Sequence, residues 1–431
     1  MLKMKALSLL LMAFVLVISG CSSSSTSGEK RNEEEKDEVV TIVYSKGQDA
    51  TGGTKKIVEE FNKRNPKIQV KFREMPADTG QQHDAYVTMF NGGSSEIDVM
   101  ELDTIWPAEF AQAGYLVELD RFLQQDKDIK LEDYNQRAVS AASFNGKQWA
   151  MPKYIDTGLL FYRKDIIAEN EVPKTWDELI ASAKENQGKN GMKYGYLMQA
   201  KQYEGLVCNG IEFISSYGGK FLDDNGKVVV NSPETIKGVA KMVEVATMDA
   251  VPDNVTTFIE QESHTAFIEG QSPLIRNWPY QYSLANDPEQ SKIVDKIGVA
   301  PLPAGDAGTA AALGGWMTGI NKFSKHKKEA WEFVKFMTGP EGQKIGALYG
   351  ALAPTIPALY EDKEIIEKNP FFAEEGFQKG LETAVPRPVT ANYPEVSEVI
   401  QIELSKAIAK EVTPEQAVQN MEKELKAVLG Q

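Results

Sequence analysis

Large aromatic rings beside turn-forming residues are the most distinctive chemical signal in this chain. Arg276-Asn277-Trp278-Pro279-Tyr280-Gln281-Tyr282 places three rings within five residues, with a proline fixing the local backbone. Leu313-Gly314-Gly315-Trp316 sets a tryptophan after two glycines, where the backbone can approach a ligand closely. Such rings stack on the apolar C–H faces of sugars, while carboxylates and guanidinium groups take the hydroxyls. A buried network matched to hydroxyls also discriminates strongly, because a wrong ligand leaves polar groups unpaired. Trp278 and Trp316 are read as binding rings. Trp176, at a helix start, and Trp331, on an apolar helix stripe, are read as core.

Bond-breaking chemistry finds little to work with. His83, His264 and His326 stand far apart, form no His-x-x-x-His pair, and are read as surface or turn residues. No nucleophile elbow, phosphate loop or dinucleotide fingerprint occurs in a strand–turn–helix setting. Cys208 lies in the apolar run Gly205-Leu206-Val207-Cys208 and is read as a buried packing thiol. The only other cysteine is Cys21, so a disulfide scaffold and a cysteine zinc site are both excluded by count. No catalytic residue, metal ligand or cofactor is assigned. A glycosidase needs two placed carboxylates, and among 62 acidic residues some pair can always be proposed, so their number decides nothing.

The elements that must position these residues alternate short strands with amphipathic helices. Val39–Tyr44 is β-rich; Ile57, Val58 and Phe61 then fall at helical spacing over 54–65, and Pro66 ends the helix. Ile68–Phe72 alternates as a half-buried strand, and Ile97–Leu102 is a further strand ending before Asp103. This order predicts a mostly parallel α/β sheet. Asn145-Gly146 between apolar residues predicts a hairpin. Leu159–Tyr162 opens a second stretch, in which Thr175 with Glu178 reads as a capping box and Ser232-Pro233 as a helix start. Ile297–Pro303 is a strand running into a proline-set crossover, 327–337 is a helix with a broad apolar face, and 394–429 is mainly helical.

Length and composition agree with two domains. The 431 residues suit two or three domains of roughly 100–200 residues each. With 42% apolar and 25% charged residues the body is globular, and the formal charge of −15 argues against nucleic acid, whose affinity comes from Lys and Arg.

The N-terminus places the protein. Lys3 and Lys5 precede an apolar run over 6–19, below the roughly 20 residues needed to cross a bilayer, so 1–20 reads as a signal peptide. Ile18-Ser19-Gly20-Cys21 resembles a bacterial lipobox, with Cys21 lipidated as the new N-terminus. Residues 22–38 hold no apolar side chain and read as a solvated tether, spanning about 20–25 Å as a flexible coil. Stable attachment implies the two or more acyl chains of a lipoprotein cysteine. The expected location is the extracellular side of the cell membrane.

A set of segments then resembles a known family: Tyr154–Lys164, Thr175–Leu179, Lys201–Cys208, Asn277–Tyr280, Gly298–Pro303, Leu313–Trp316 and Ala384–Pro388, in order along the mature chain. They are similar to the extracellular solute-binding proteins that deliver sugars to ATP-driven importers, and most to the trehalose/maltose-binding branch. The resemblance implies a periplasmic-binding-protein-like fold, with two discontinuous α/β lobes joined by a multi-segment hinge around a central cleft. The N-lobe is expected over 39–152 plus about 302–340 and the C-lobe over 156–298 plus about 344–431.

Carried over by motif, Asp103 and Trp316 line the cleft from the first lobe, and Tyr154, Asp156, Trp278, Tyr280 and Arg387 from the hinge and second lobe. Gly314 and Gly315 let backbone amides reach hydroxyls. The chain departs from the branch where a glutamate gives way to Gln48-Asp49-Ala50-Thr51, and where a threonine and an arginine give way to Ala77 and Gln82. Asp49 is the candidate replacement for the glutamate, with Asp78 or Gln82 as further hydroxyl partners. The implied partners are a mono- or disaccharide such as maltose or trehalose, the permease of an ABC importer and the membrane through the lipid anchor, with the receptor a monomer. The rival readings are a secreted glycoside hydrolase and a sugar sensor for a membrane kinase.

Overall fold

The computed structural model describes residues 39–223, 225–388 and 390–431, and the signal peptide, Cys21 and tether expected over 1–38 lie outside them. The chain opens with β1 (Val40–Lys46), α1 (Gly53–Arg64) and β2 (Ile68–Glu74). The predicted stripe of Ile57, Val58 and Phe61 is the buried face of α1. Next come α2 (Thr79–Asn91), capped by the Asp78 carboxylate on the Gly80 and Gln81 amides, and β3 (Val99–Asp103). Both β2 and β3 pair with β1 in parallel, as strand–helix–strand order requires. The hairpin β4 (Ser143–Phe144) and β5 (Lys147–Gln148) turns through Asn145 and Gly146, both at positive φ (50° and 73°).

β6 (Ala150–Thr157) is buried along its whole length and passes through the single residue Gly158 into β7 (Leu159–Arg163) of a second sheet. Around that sheet stand α3 (Trp176–Asn186), α4 (Glu204–Ser216), α5 (Pro233–Ala246) and α6 (Glu260–Ile268), before its remaining strands β8 (Leu274–Asn277) and β9 (Ile297–Ala300). Thr175 accepts from the Glu178 amide as predicted, although Glu178 returns its contact to the Lys174 amide. The chain then re-enters the first sheet as β10 (Ala311–Ile320), followed by α7 (Lys327–Thr338), α8 (Pro340–Gly350), α9 (Glu375–Glu382), β11 (Ala384–Val385), α10 (Tyr393–Ile408) and α11 (Pro414–Val428).

The first sheet runs β11-β10-β3-β1-β2, with β6 on the other side of β10; the second runs β8-β7-β9. The expectation of mostly parallel pairing holds only for β1–β3 and for the short β10–β11 contact. β10 is antiparallel to β3 and β6, and β7 is antiparallel to both its neighbours. Alternation of strand and helix signals a crossover, but a long helical excursion can return to either end of a sheet.

Tyr44, Phe61 and Phe333 meet edge-on in the first core, with centroids 5.3 and 5.0 Å apart. Trp176 stacks on Phe213 at 3.9 Å in the second, and Trp331 is 3% exposed, so both tryptophans read as core are core. Helix α8 straddles the boundary expected at about 340–344. It packs on α1 and α7 of the first sheet, with Gly350 so close to Gly53 that a Cβ on the latter would fall 2.9 Å from its Cα. Helices α10 and α11 pack on α4 and α5 over the second sheet. Helix α9 lies under the crossovers, against β6, β7, β9 and β10.

Candidate functional site

The strand ends and crossovers converge on one cleft, enclosing about 1070 Å³ of atom-free space including its mouth. Asp49 follows β1, Asp103 ends β3, Trp278 and Tyr280 follow β8, and Arg387 follows β11. Tyr154 and Asp156 lie on β6 opposite Trp316 and Gly314 of β10, while Gln82 comes from α2. Of the residues proposed from sequence, Asp49, Gln82, Asp103, Tyr154, Asp156, Trp278, Tyr280, Gly314, Gly315, Trp316 and Arg387 line this cleft, and Asp78 does not. The glycines are steric necessities. A Cβ on Gly314 would lie 3.0 Å from the Trp278 ring and 3.1 Å from Asp156 Cβ, and one on Gly315, at φ 135°, would lie 2.7 Å from the Tyr154 carbonyl.

On the first-sheet wall, buried charges form one network. Lys153 Nζ donates to Glu101 (2.7 Å), to the Tyr44 hydroxyl (3.2 Å) and to Thr54 (3.2 Å). Lys46 lies 3.7 Å from Glu101 and 3.8 Å from Asp49. The Asp49 carboxylate accepts from the Lys55 amide at 2.9 Å and the Thr54 amide at 3.4 Å, so it is engaged at the start of α1 as well as facing the cleft. Gln82 donates to Tyr86 at 3.3 Å. Trp316 meets Trp106 edge-on at 5.7 Å. Asp78 lies outside the lining set: besides capping α2 it accepts from Lys201 Nζ at 2.6 Å.

Arg387 bridges the walls. Its guanidinium pairs with Asp103 of β3 and donates to Glu204 of α4 at 2.9 Å and to Thr104 at 2.8 Å. Glu204 also accepts from Tyr393 and Ser397, and burial still raises its carboxyl despite Arg387. Asp156 is different. Its carboxylate is buried without a side-chain hydrogen bond among the described residues, and burial together with the nearby charges of Asp103 and Glu101 pushes it up to about 7. It is an acceptor aimed at the cleft with its capacity unused.

On the second-sheet wall, the Arg276 guanidinium lies 4.0 Å from the Trp278 ring centroid, and Trp278 Nε1 donates to Glu260 at 3.1 Å. Tyr280 stands perpendicular to the His264 ring at 6.2 Å.

Sequence reasoning missed several cleft residues. Lys46, Glu101, Glu204, Glu260 and His264 all line it. His264, read as a surface or turn residue, instead sits on α6 at 6% exposure, and burial lowers it to about 4, so its ring is neutral. Phe267 and Ile268, three and four positions on, share its face of the helix and were the signal for its burial. Cys208 is buried as expected but also lines the cleft, packed with Trp278 and Ala312, and burial pushes its thiol up. Four lining residues carry a buried polar atom with no hydrogen-bond partner among the described residues: Thr79 Oγ1, Gln82 Oε1, His264 Nδ1 and Arg387 Nε. Rings from both walls, with fixed donors and free acceptors between them, can hold a neutral polyhydroxylated ligand.

Comparison with known proteins gives concordant matches. The family model for bacterial extracellular solute-binding proteins matches residues 45–344. A probable ABC transporter-binding protein of Deinococcus radiodurans is 34% identical over 373 residues, covering 84% of this chain and 87% of the relative. The solved structure of maltose-bound MalE3 from T. maritima has a TM-score of 0.85 at 39% identity, covering 90% of this chain and all of that one (100%). The GacH receptor of Streptomyces glaucescens, solved unliganded and with acarbose, has a TM-score of 0.81 at 25% identity, covering 91% and 99% of the two chains.

Proposed function

Because this chain belongs to the bacterial extracellular solute-binding proteins, we propose that it is a lipid-anchored receptor that takes a gluco-disaccharide, maltose or trehalose, into its cleft by closure of two lobes. The coarser part is established: it is a sugar-binding component of an ABC importer and not an enzyme. Among the described residues, no helix is long and apolar enough to cross a membrane. The leader and Cys21 supply the proposed anchor.

The observation that carries the disaccharide reading is the convergence of Trp278, Tyr280, Trp316 and Tyr154 with Asp103, Asp156 and Arg387 in one cleft between two sheets. Rings from opposite walls can stack on a sugar, and Asp156 has open acceptors for its hydroxyls. Closure brings both walls onto the ligand at once, so a sugar that touches both favours the closed form. Of the positions that depart from the trehalose/maltose branch, Gln82 keeps a free acceptor at the cleft, whereas Asp49 already serves two helix amides. We therefore assign Gln82 as a hydroxyl partner and Asp49 as a support for Lys46.

Thermal unfolding with maltose, trehalose, maltotriose, glucose and amino acids tests this reading. A rise in melting temperature with a gluco-disaccharide, and no release of glucose, is the expected result. Indifference to every glucoside, or sustained glucose release, overturns it. Mass spectrometry of the mature N-terminus checks acylation at Cys21, and Cys21→Ala should release the protein into the medium.

A further inference from the structure

We propose that Arg276 and Glu212 are positioning residues of the ligand site, acting through the Trp278 ring and β10 without touching the ligand. This rests on the sugar-receptor reading above. Neither residue lines the cleft, yet both are fully buried and meet three of its parts at once.

Arg276 Nε donates to both Glu212 oxygens, at 3.1 and 2.9 Å, and Nη1 donates to Gln199 at 3.3 Å. Held this way, the planar guanidinium lies across Trp278. Glu212 extends the contact in two further directions. Its Oε1 accepts from the Ala312 amide at 3.2 Å, two residues before Gly314 on β10. It also fills the space beside Gly158, where a Cβ would fall 2.0 Å from Oε1 and 3.0 Å from Arg276 Nη2. One ion pair thus supports the stacking ring, the strand that brings Gly314 and Gly315 to the cleft, and the residue following Asp156 and Thr157.

A buried ion pair is seldom required for stability, since apolar replacement is often neutral. Here its geometry serves a second purpose. A guanidinium can satisfy a carboxylate through one edge while its face covers an indole, and an ammonium offers charge without a plane. Arg276→Lys therefore separates the two roles: it keeps the charge opposite Glu212 and removes the cover on Trp278.

The test uses the whole chain labelled with 5-fluorotryptophan, whose six indoles are resolved by ¹⁹F NMR, with Trp278 assigned by loss of its resonance in Trp278→Phe. Arg276→Lys should shift or broaden the Trp278 resonance and weaken maltose or trehalose binding at least tenfold by calorimetry. Combined with Trp278→Ala, it should weaken binding no further than Trp278→Ala alone, because it acts through that ring. Glu212→Gln, which keeps an acceptor for Arg276 and Ala312, should weaken binding less. An unmoved Trp278 resonance with affinity within twofold of the parent overturns the proposal. So do losses that multiply in the double variant, which would mean independent action. If the parent binds none of the sugars, the receptor reading fails, and the Trp278 resonance alone decides whether Arg276 holds the ring.

Discussion

The two walls of the cleft handle buried charge in opposite ways. On the first-sheet wall, Lys46, Glu101 and Asp49 belong to a charge network and themselves line the cleft. On the second-sheet wall, the Arg276–Glu212 pair is withdrawn behind Trp278, and what it presents forward is a ring. The first wall therefore presents its charge network directly, whereas on the second wall this ion pair reaches the cleft only through a ring, beside the lining carboxylates of Glu204 and Glu260. A face recognises that a ligand is a sugar; a pattern of hydrogen bonds decides which sugar, because a mismatch leaves polar groups unpaired. The positions that depart from the trehalose/maltose branch, Asp49, Ala77 and Gln82, all lie on the first wall.

The sharpest way to break this contrast is Lys153→Met. It leaves Glu101 with Lys46 at 3.7 Å as its remaining cation, and should destabilise the ligand-free protein by about 3–5 kcal/mol in urea unfolding. A loss below about 1 kcal/mol means that the first wall is not held by charge. Next in size, Trp278→Ala should weaken sugar binding by about 2–3 kcal/mol, with Trp316→Ala and Asp156→Ala close behind. Trp316→Ala, at a ring that is only half-buried, should leave the ligand-free melting temperature nearly unchanged. Equal affinity in all three variants would remove the cleft assignment.

The pH dependence has a definite sign. Asp156 is held up to about 7 from an ordinary 3.8, so the folded protein keeps a proton that the unfolded chain releases. Asp156 should therefore make the ligand-free protein less stable as pH rises from about 4 to 7, and contribute no further slope above that. Asp156→Asn should remove this slope, and an unchanged stability–pH profile counts against an unpaired carboxylate there. The smallest effect is Gln82→Arg, which restores the arginine of the trehalose/maltose branch. It should alter the maltose-to-trehalose affinity ratio, read by calorimetry, by about three- to tenfold, roughly 1 kcal/mol.

Residues that reach the cleft from a local motif were legible in the sequence. Trp278 with Pro279, and Trp316 after two glycines, announce themselves through neighbours that fix or free the backbone. Groups whose meaning is a distant partner were not. Arg276 and Glu212 stand 64 positions apart, and Lys153 and Glu101 stand 52 apart. A signal for the second pair was present: Glu101 and Lys153 are charges inside strands buried along their whole length, and a charge there must find a partner. The β-α-β order of the first sheet was readable from periodicity. The antiparallel return of β10 was not, because direction is set by how a long connection packs and leaves no local mark.

Gly158 carries a consequence for anyone converting this receptor into a sensor. Tuning affinity by substituting at a linker between lobes assumes that the linker is separable from recognition. At 158 it is not, since the first atom of any side chain would displace the Glu212 oxygen that supports both the guanidinium and the Ala312 amide. A substitution meant to change how readily the lobes move would also loosen the indole. Dynamic range and selectivity are thus tied at this position, and adjustment of one alone belongs at the other crossovers.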